Sequence, residues 1–303
     1  MPPQPIQYGL LDKSMLFENT KELKDMSKIV TISTDSGDTT DIDIDRIKSI
    51  KTNFDFSSIT TDFNDYFSKL AKSLAESLEN HKQQVIESSK PYIETEWVYL
   101  WDMKDLTNEI SNIYADKNSG WHNAIDQLII DFYMIDEYRR FWQVINDVID
   151  HPLVGDFWKT VIYDAAKAHV QGQYSLTSPA IMPILDYLIK WEFASPHYGE
   201  GKDIQYKKIK SRLKSDIDPV DGMHHSLHTY TLFSLMIKVF EKTKPQEVIS
   251  NPHSFSANRH TIAHGLPVNY AYSKFSLRTF LTIKAILDLI DEYKEAEEIL
   301  SDI

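Results

Sequence analysis

The sequence predicts a mostly α-helical, globular protein with one short β-hairpin near its N-terminus. Hydrophobic residues make up 42% of the 303 residues and charged residues 25%, which is typical of a soluble globular chain. Only nine residues are glycine. Leucine, isoleucine, tyrosine and phenylalanine recur at the three- and four-residue steps of amphipathic helices. Together these observations indicate packed helices.

Charge and cysteine content exclude several classes of function. The net charge of −13 argues against binding duplex DNA over the whole surface, so any contact with nucleic acid would be confined to a basic patch. The chain has no cysteine, which excludes disulfides and thiolate metal sites. No apolar run approaches 18 residues, and the first residues do not resemble a signal peptide. We therefore expect a cytoplasmic protein with no membrane segment, metal or cofactor.

Residues 1–55 are predicted to form a separate N-terminal segment. A β-branched run at 29–34 indicates a strand, residues 35–38 a turn, and the alternation of acidic and apolar residues at 40–45 a second, half-buried strand. Asp41, Asp43 and Asp45 could suggest calcium binding, but the glycine and the terminal glutamate of an EF-hand loop are absent. A solvated strand face is the preferred interpretation.

Residues 56–150 are predicted to form a helical region. Helices are expected at 62–89, ending before Pro91, at about 105–114, and without interruption at 121–149. The aromatic cluster at 97–101 could suggest a platform on which bases stack. No basic residue accompanies the cluster, so hydrophobic core is the preferred interpretation.

Residues 151–303 are predicted to form a third region, a helical domain that begins at the break around 151–155. Its expected helices cover about 157–169, 178–191, 206–214 and 224–240. A further helix carries Arg259 and His264 and stops at Gly265, a common residue at helix C-termini. The last helix is expected at about 276–300.

The most informative motif lies at 258–265, inside a window at 252–287 that contains no acidic residue. Arg259 and His264 are the minimum pair for cleaving RNA without a metal. A histidine can take or give a proton near neutral pH, and a guanidinium can stabilise charge on a phosphate. On one helix the two residues are roughly 140° apart around the axis. They could meet only at a distorted helix end or across two subunits. The alternative is a helix C-terminus at which His264 is favourably placed.

The motif and its neighbours resemble the C-terminal part of bacterial HEPN-like proteins. The similarity includes the R-x4-H spacing of Arg259 and His264, the polar residue after the arginine, and a following helix that begins near 275. Upstream, a helix ending at His169 leads through Gly172 and Tyr174 into a second helix, which contains the family-like residues Ser178, Pro179 and Ala180. The resemblance covers about 157–289. It departs from the family where an acidic residue followed by glycine is expected, because here Asp186 precedes Tyr187.

This resemblance implies an α-helical bundle that dimerises and acts as a metal-independent ribonuclease in phage defence, abortive infection or toxin–antitoxin growth arrest. Arg259 and His264 would be the catalytic pair, with His260 and Asn258 as orienting groups. The active site would lie at a two-fold interface to which both copies contribute. RNA and a second copy are thus the expected partners, together with an antitoxin or another protein of a defence system.

Basic residues near the motif are candidates for binding the RNA backbone. Lys274 and Arg278 follow the motif in the acid-free window. A basic run upstream, held to the fold by Ile209 and Leu213, comprises Lys207, Lys208, Lys210, Arg212 and Lys214, of which Lys207, Lys210 and Lys214 are the expected contacts. The alternative for this run is an ordinary solvated helix face.

Three further interpretations remain open. The chain could be a catalytically silent HEPN-like module that binds a partner and signals through rearrangement of a dimer. It could also be a structural subunit in which Arg259 forms a buried ion pair. His224 and His228 have the i, i+4 spacing of a zinc site. Because the glutamate of H-E-x-x-H is replaced by His225, solvated histidines are the preferred interpretation.

Overall fold

A computed structural model describes residues 29–33, 39–43, 56–198, 204–218, 226–241, 244–250, 259–263 and 272–301. The chain divides into two compact units, Met1–Ser73 and Leu74–Ile303. Most of the described residues are helical, which confirms the predicted class. Within these residues, no helix is both long and apolar enough to cross a membrane.

The first unit contains two short strands. β1 (Ile29–Ser33) pairs antiparallel with β2 (Thr39–Asp43), in a register that places Ile29 opposite Asp43 and Ser33 opposite Thr39. The predicted turn at 35–38, the side chains of both strands, and Asp45 lie outside the described residues. The half-buried hairpin and its solvated aspartates therefore stay predictions.

Helix α1 (Phe56–Thr95) continues from the first unit into the second and is longer than predicted. We expected it to end at residue 89, before Pro91, but Pro91 lies inside the helix. Proline disfavours a helical conformation for the preceding residue and removes one hydrogen bond. Here Tyr92 is fully buried directly after the proline, and its carbonyl accepts a hydrogen bond from the Trp97 backbone. Packing of this last turn offsets the cost.

The second unit continues with a 3-10 turn (Trp101–Leu106) and then helices alone among its described residues. They are α2 (Thr107–Asp116), α3 (Trp121–Asp150), α4 (Asp156–Val170), α5 (Tyr174–Tyr187), α6 (Tyr206–Asp216), α7 (Leu227–Val239), α8 (Pro245–Ser250), α9 (Arg259–Ala263) and α10 (Ser273–Ser301). Beyond α5 the chain continues as a π-helix (Leu188–Ala194) and returns to α geometry at Ser195–His197.

Helix α3 is interrupted, although the sequence predicts an uninterrupted helix. Ile135 has extended backbone angles (φ −63°, ψ 158°), and Asp136, Glu137 and Tyr138 follow with positive φ values of 51°, 53° and 65°. Such left-handed angles are costly for residues with a Cβ atom. The interruption allows both segments to bury their apolar faces, with Tyr133 before it and Phe141 after it fully buried.

Helix α10 lies at the centre of the second unit. It packs against α3, α4, α5, α7 and the π-helix. Its buried face includes Leu277, Phe280 and Leu281. One core cluster contains residues from both sides of the predicted division near 150, where the chain makes only a turn between α3 and α4.

The aromatic cluster at 97–101 belongs largely to this core, as predicted. Trp97 and Val98 are fully buried, and Tyr99 and Leu100 nearly so. Trp101 differs, because 56% of its surface is exposed. The first four positions therefore hold the end of α1 against the helices behind it, while Trp101 lies at the surface.

Candidate functional site

The candidate site is built by three helices that are distant in sequence. Asp186 lies next to the C-terminus of α5, Tyr206 begins α6, and Arg259 begins α9. Helix α9 packs against α5 and is anchored by Thr261, which is fully buried. Because this anchor fixes the short helix, Arg259 is held over the end of α5.

Asp186, Tyr206 and Arg259 form a polar group that we call the arginine cluster. The Nε atom of Arg259 lies 2.9 Å from Oδ1 of Asp186. The Tyr206 hydroxyl donates a hydrogen bond of 2.7 Å to Oδ2 of the same carboxylate. The guanidinium carbon lies 4.1 Å from the centre of the Tyr206 ring, which is a cation–π contact. Each member of the cluster thus contacts the other two.

The contact between Arg259 and Asp186 is an ion pair without an aligned hydrogen bond. The Oδ1 atom is buried and accepts no well-directed hydrogen bond from the residues that the structure describes. The two groups still attract each other, although solvent screens part of this attraction, and the tyrosine ring also helps to position the guanidinium. The Arg259 side chain retains 35% exposure. An external anion could therefore reach it.

Tyr206 is a fixed hydrogen-bond donor in this cluster. Burial, together with the hydrogen bond to Asp186 and the negative charge of that residue, raises the pKa of Tyr206 to about 12. Arg259 opposes the shift only in part. The phenol stays protonated at neutral pH, so it orients Asp186 and does not itself transfer protons there.

The remainder of the predicted catalytic motif is only partly described. His260 follows Arg259 on α9, is half-buried and interacts with another group of the protein. Asn258, His264 and Gly265 lie outside the described residues, since α9 is described from Arg259 to Ala263. The catalytic assignments to Arg259, His260, His264 and Asn258 stay predictions.

The predicted basic run occupies the outer face of α6, directly after Tyr206. Lys207, Lys208, Arg212 and Lys214 are exposed, and Lys210 pairs with Glu241 at 3.3 Å. Ile209 and Leu213 are fully buried and hold the helix to the fold, as the sequence indicated. The run therefore begins at the arginine cluster and leads away from it along one helix.

Lys274 and Arg278, the other predicted RNA contacts, are held in ion pairs within the chain. Lys274 Nζ lies 2.8 Å from Asp126, and burial lowers the pKa of Lys274 despite this partner. Arg278 is 7% exposed and lies 2.5 Å from Glu96. Binding of RNA by either residue stays a prediction, and each would have to leave its carboxylate first.

The histidine pair considered for zinc is divided between described and undescribed residues. His228 is fully buried, with Nδ1 2.8 Å from the Tyr99 carbonyl and Nε2 3.2 Å from the Ala285 carbonyl. It is therefore not a solvated histidine, contrary to our expectation, because the core closes around it. His224 and His225 lie outside the described residues. Among those described, no group of three or more acidic or histidine side chains could hold a metal ion.

A second polar group lies in the core and has no access from outside. His169 Nδ1 is 2.7 Å from the Ser276 hydroxyl, which is 2.5 Å from the Thr177 hydroxyl. All three residues are fully buried. A histidine beside a serine can activate it as a nucleophile, but burial leaves no path for a substrate. This group links α4, α5 and α10.

Sequence reasoning missed Tyr206 as a member of the site. The residue lies 53 positions before Arg259, at the start of the basic run. The family resemblance points to Asp186 but does not predict its pairing with Arg259. The only sequence signal for Tyr206 was its place at the head of a helix with one cationic face.

The fold and the site together define a mostly helical protein that carries an arginine–carboxylate–tyrosine cluster at its surface. Comparisons with protein-family models, with curated proteins and with solved structures find no match for this chain.

Proposed function

We propose that the protein is a metal-independent endoribonuclease of the HEPN type that acts in phage defence, abortive infection or toxin–antitoxin growth arrest. The observation that supports this proposal is the environment of Arg259, a partly exposed guanidinium held by one carboxylate and one aromatic ring. Asp186, which pairs with Arg259, is the residue that stands where the resemblance led us to expect an acid. The motif arginine is thus fixed in place and can be approached.

In the proposed reaction, the 2′-hydroxyl of RNA attacks the adjacent phosphorus. A P–O2′ bond forms while the P–O5′ bond breaks. The 2′-hydroxyl loses a proton and the leaving 5′-oxygen gains one, with His264 carrying out one of the two transfers. The products are a 2′,3′-cyclic phosphate and a 5′-hydroxyl. Arg259 stabilises the charge on the phosphoryl oxygens through its terminal nitrogens, while Nε faces Asp186. His260 and Asn258 orient these groups.

A homodimer is part of the proposal. Arg259 and His264 are five positions apart, which on a regular helix directs the two side chains to different faces. At a two-fold interface both copies contribute, so Arg259 of one copy can meet His264 of the other over one phosphate. Equilibrated mixtures of Arg259→Ala and His264→Ala, each inactive alone, are then expected to regain part of the activity. Mixtures that form heterodimers but stay inactive contradict an active site composed of Arg259 from one copy and His264 from the other.

The test is cleavage of RNA by the purified full-length protein in EDTA. We expect wild-type protein to leave 2′,3′-cyclic phosphate ends, and Arg259→Ala or His264→Ala to lower the rate at least about a hundredfold. Arg139→Ala is a matched control, because Arg139 is highly exposed and pairs only with Asp136 at 3.1 Å among the described residues. Cleavage that survives both site substitutions contradicts the assignment.

A second candidate is a catalytically silent module that binds a partner. The ion pair of Arg259 with Asp186 is the observation that favours it, because the same geometry can serve only to hold α9 against α5. Expression in cells separates the two functions. Toxicity of the wild type together with harmlessness of His264→Ala supports the ribonuclease, whereas two harmless proteins that bind a partner without cleaving RNA support the silent module.

A further inference from the structure

A second cation lies beside the arginine cluster and comes from the π-helix. The Nζ atom of Lys190 lies 5.4 Å from the centre of the Tyr206 ring, the ring that Arg259 contacts at 4.1 Å. Lys190 also lies over the ring of its neighbour Trp191, at 4.3 Å. Two positive side chains from different elements therefore share one aromatic ring.

The backbone explains why Lys190 can reach this position. π-helices are rare, usually occur as a single turn, and are often found at functional sites. Here the π-helix starts just after Asp186 and Tyr187. Its wider turn changes the angular spacing of the side chains that follow, including Lys190 and Trp191. The irregular turn thus lies next to the carboxylate that holds Arg259.

The charges of this group do not balance. Asp186 is the carboxylate of the arginine cluster, and it forms an ion pair with Arg259. Within the part of the chain that the structure describes, no carboxylate forms an ion pair with Lys190. The group of Asp186, Lys190 and Arg259 carries one positive charge in excess, in a protein whose net charge is −13. A local excess of this sign favours an anionic ligand.

We propose that Lys190 binds the RNA phosphate next to the one that Arg259 contacts. This inference rests on the proposed function for the identity of the ligand. An ammonium group acts on a phosphate as a point charge without strict geometry, which suits a backbone contact outside the scissile position. The basic run on α6 begins at Tyr206, so a strand that contacts Arg259 and Lys190 can continue along it.

The test measures binding without cleavage. The probe is a fluorescent single-stranded oligoribonucleotide with 2′-O-methyl groups, which cannot react, and its affinity is measured over a series of salt concentrations. One phosphate contact contributes about 0.7 to the slope of log K against log salt for a single strand. Lys190→Gln is expected to weaken binding severalfold and to reduce this slope by about that amount. Lys190→Arg keeps the charge and is expected to restore the slope.

Lys117→Gln is the matched control. Lys117 also lies over a tyrosine and a tryptophan, 4.3 Å from the ring of Tyr114 and 5.9 Å from that of Trp121. Its removal is expected to leave the slope unchanged. Any of three results overturns the inference. The slope is unchanged in Lys190→Gln, the control changes it equally, or the wild type does not bind the probe. Suppose that the wild type binds the probe, that Lys190→Gln reduces the slope as expected, and that the wild type never cleaves unmodified RNA. This result contradicts the ribonuclease but supports the phosphate contact of Lys190.

Discussion

Arg259 shows which part of a side chain's environment a local sequence pattern can predict. The motif predicts a phosphate-binding role for Arg259, and the window at 252–287 around it contains no acidic residue. The window describes sequence neighbours only, and the carboxylate that pairs with Arg259 comes from 73 positions upstream, at the end of α5. Tertiary packing, which no local pattern encodes, determines the charge at this site.

Tyr206 is a positioning residue in this account. Tyr206→Phe keeps the ring under Arg259 but removes the hydrogen bond to Asp186. We expect the kcat for RNA cleavage to fall about tenfold with little change in KM, while the free energy of unfolding drops by only about 1 kcal/mol. Tyr198→Phe is the control, because Tyr198 donates a similar bond of 2.7 Å to Asp216. Equal losses of kcat in both variants would show a general effect on the fold.

His169 makes stability depend on pH. Burial lowers the pKa of His169 to about 4, whereas an unfolded histidine titrates near 6.5. As the pH falls below 6.5, the unfolded chain takes up the proton before the folded protein does. The contribution of neutral His169 to the free energy of unfolding is therefore complete above pH 6.5 and is lost progressively between pH 6.5 and pH 4. The loss from this group is about 3 kcal/mol.

Urea unfolding at pH 7 and pH 4.5 measures this effect. His169→Asn removes the titration and is expected to lose less stability on acidification than the wild type, even if it is weaker at pH 7. His81→Asn, in the exposed part of α1, should behave like the wild type. Identical acid sensitivity of all three proteins contradicts the assignment.

At the scale of elements, the sequence located most helices but not their irregularities. Periodicity predicted helices in the places of α1, α2 and α3, because burial imposes that spacing. It could not locate the left-handed turn at 136–138, since Asp136, Glu137 and Tyr138 contain neither the glycine nor the proline that signals a break. No sequence pattern predicted the π-helix either. Both depend on how neighbouring helices pack, and the π-helix adjoins the candidate site.

Three helices are connected by a group of ionic contacts around Glu96, which follows α1. Glu96 lies 2.5 Å from Arg278 of α10 and 3.2 Å from Lys238 of α7. Arg278→Ala leaves this mostly buried carboxylate with one partner fewer, and we expect a loss of about 3 kcal/mol in the free energy of unfolding. The exposed Arg139→Ala should cost less than about 1 kcal/mol.

A double substitution distinguishes an unpaired charge from lost packing. Glu96→Gln combined with Arg278→Met removes both charges of the buried pair. Lys238 loses its carboxylate partner but is 35% exposed and keeps its hydrogen bond to the Ile93 carbonyl, so much of the lost stability should return. If the double variant is as unstable as the sum of the single ones, packing of the arginine stem explains the loss instead.

For the whole molecule, the sequence predicted the class of fold and one member of the candidate site. Composition and periodicity were sufficient for the class because they reflect burial averaged over many residues. The site required the positions of α5, α6 and α9 relative to one another, and these follow from a core that the second unit builds around α10. The ribonuclease proposal therefore depends on a tertiary arrangement in which Arg259 is fixed but still accessible.

The most direct test of the ribonuclease uses an RNA with one defined cleavage position. The full-length protein is incubated in EDTA with this RNA and with a copy that lacks only the 2′-hydroxyl at that position, and the fragment ends are identified by mass. We predict a 2′,3′-cyclic phosphate and a 5′-hydroxyl from the first RNA and no cut at that position in the second. Cleavage of both RNAs, or of neither, would contradict the account.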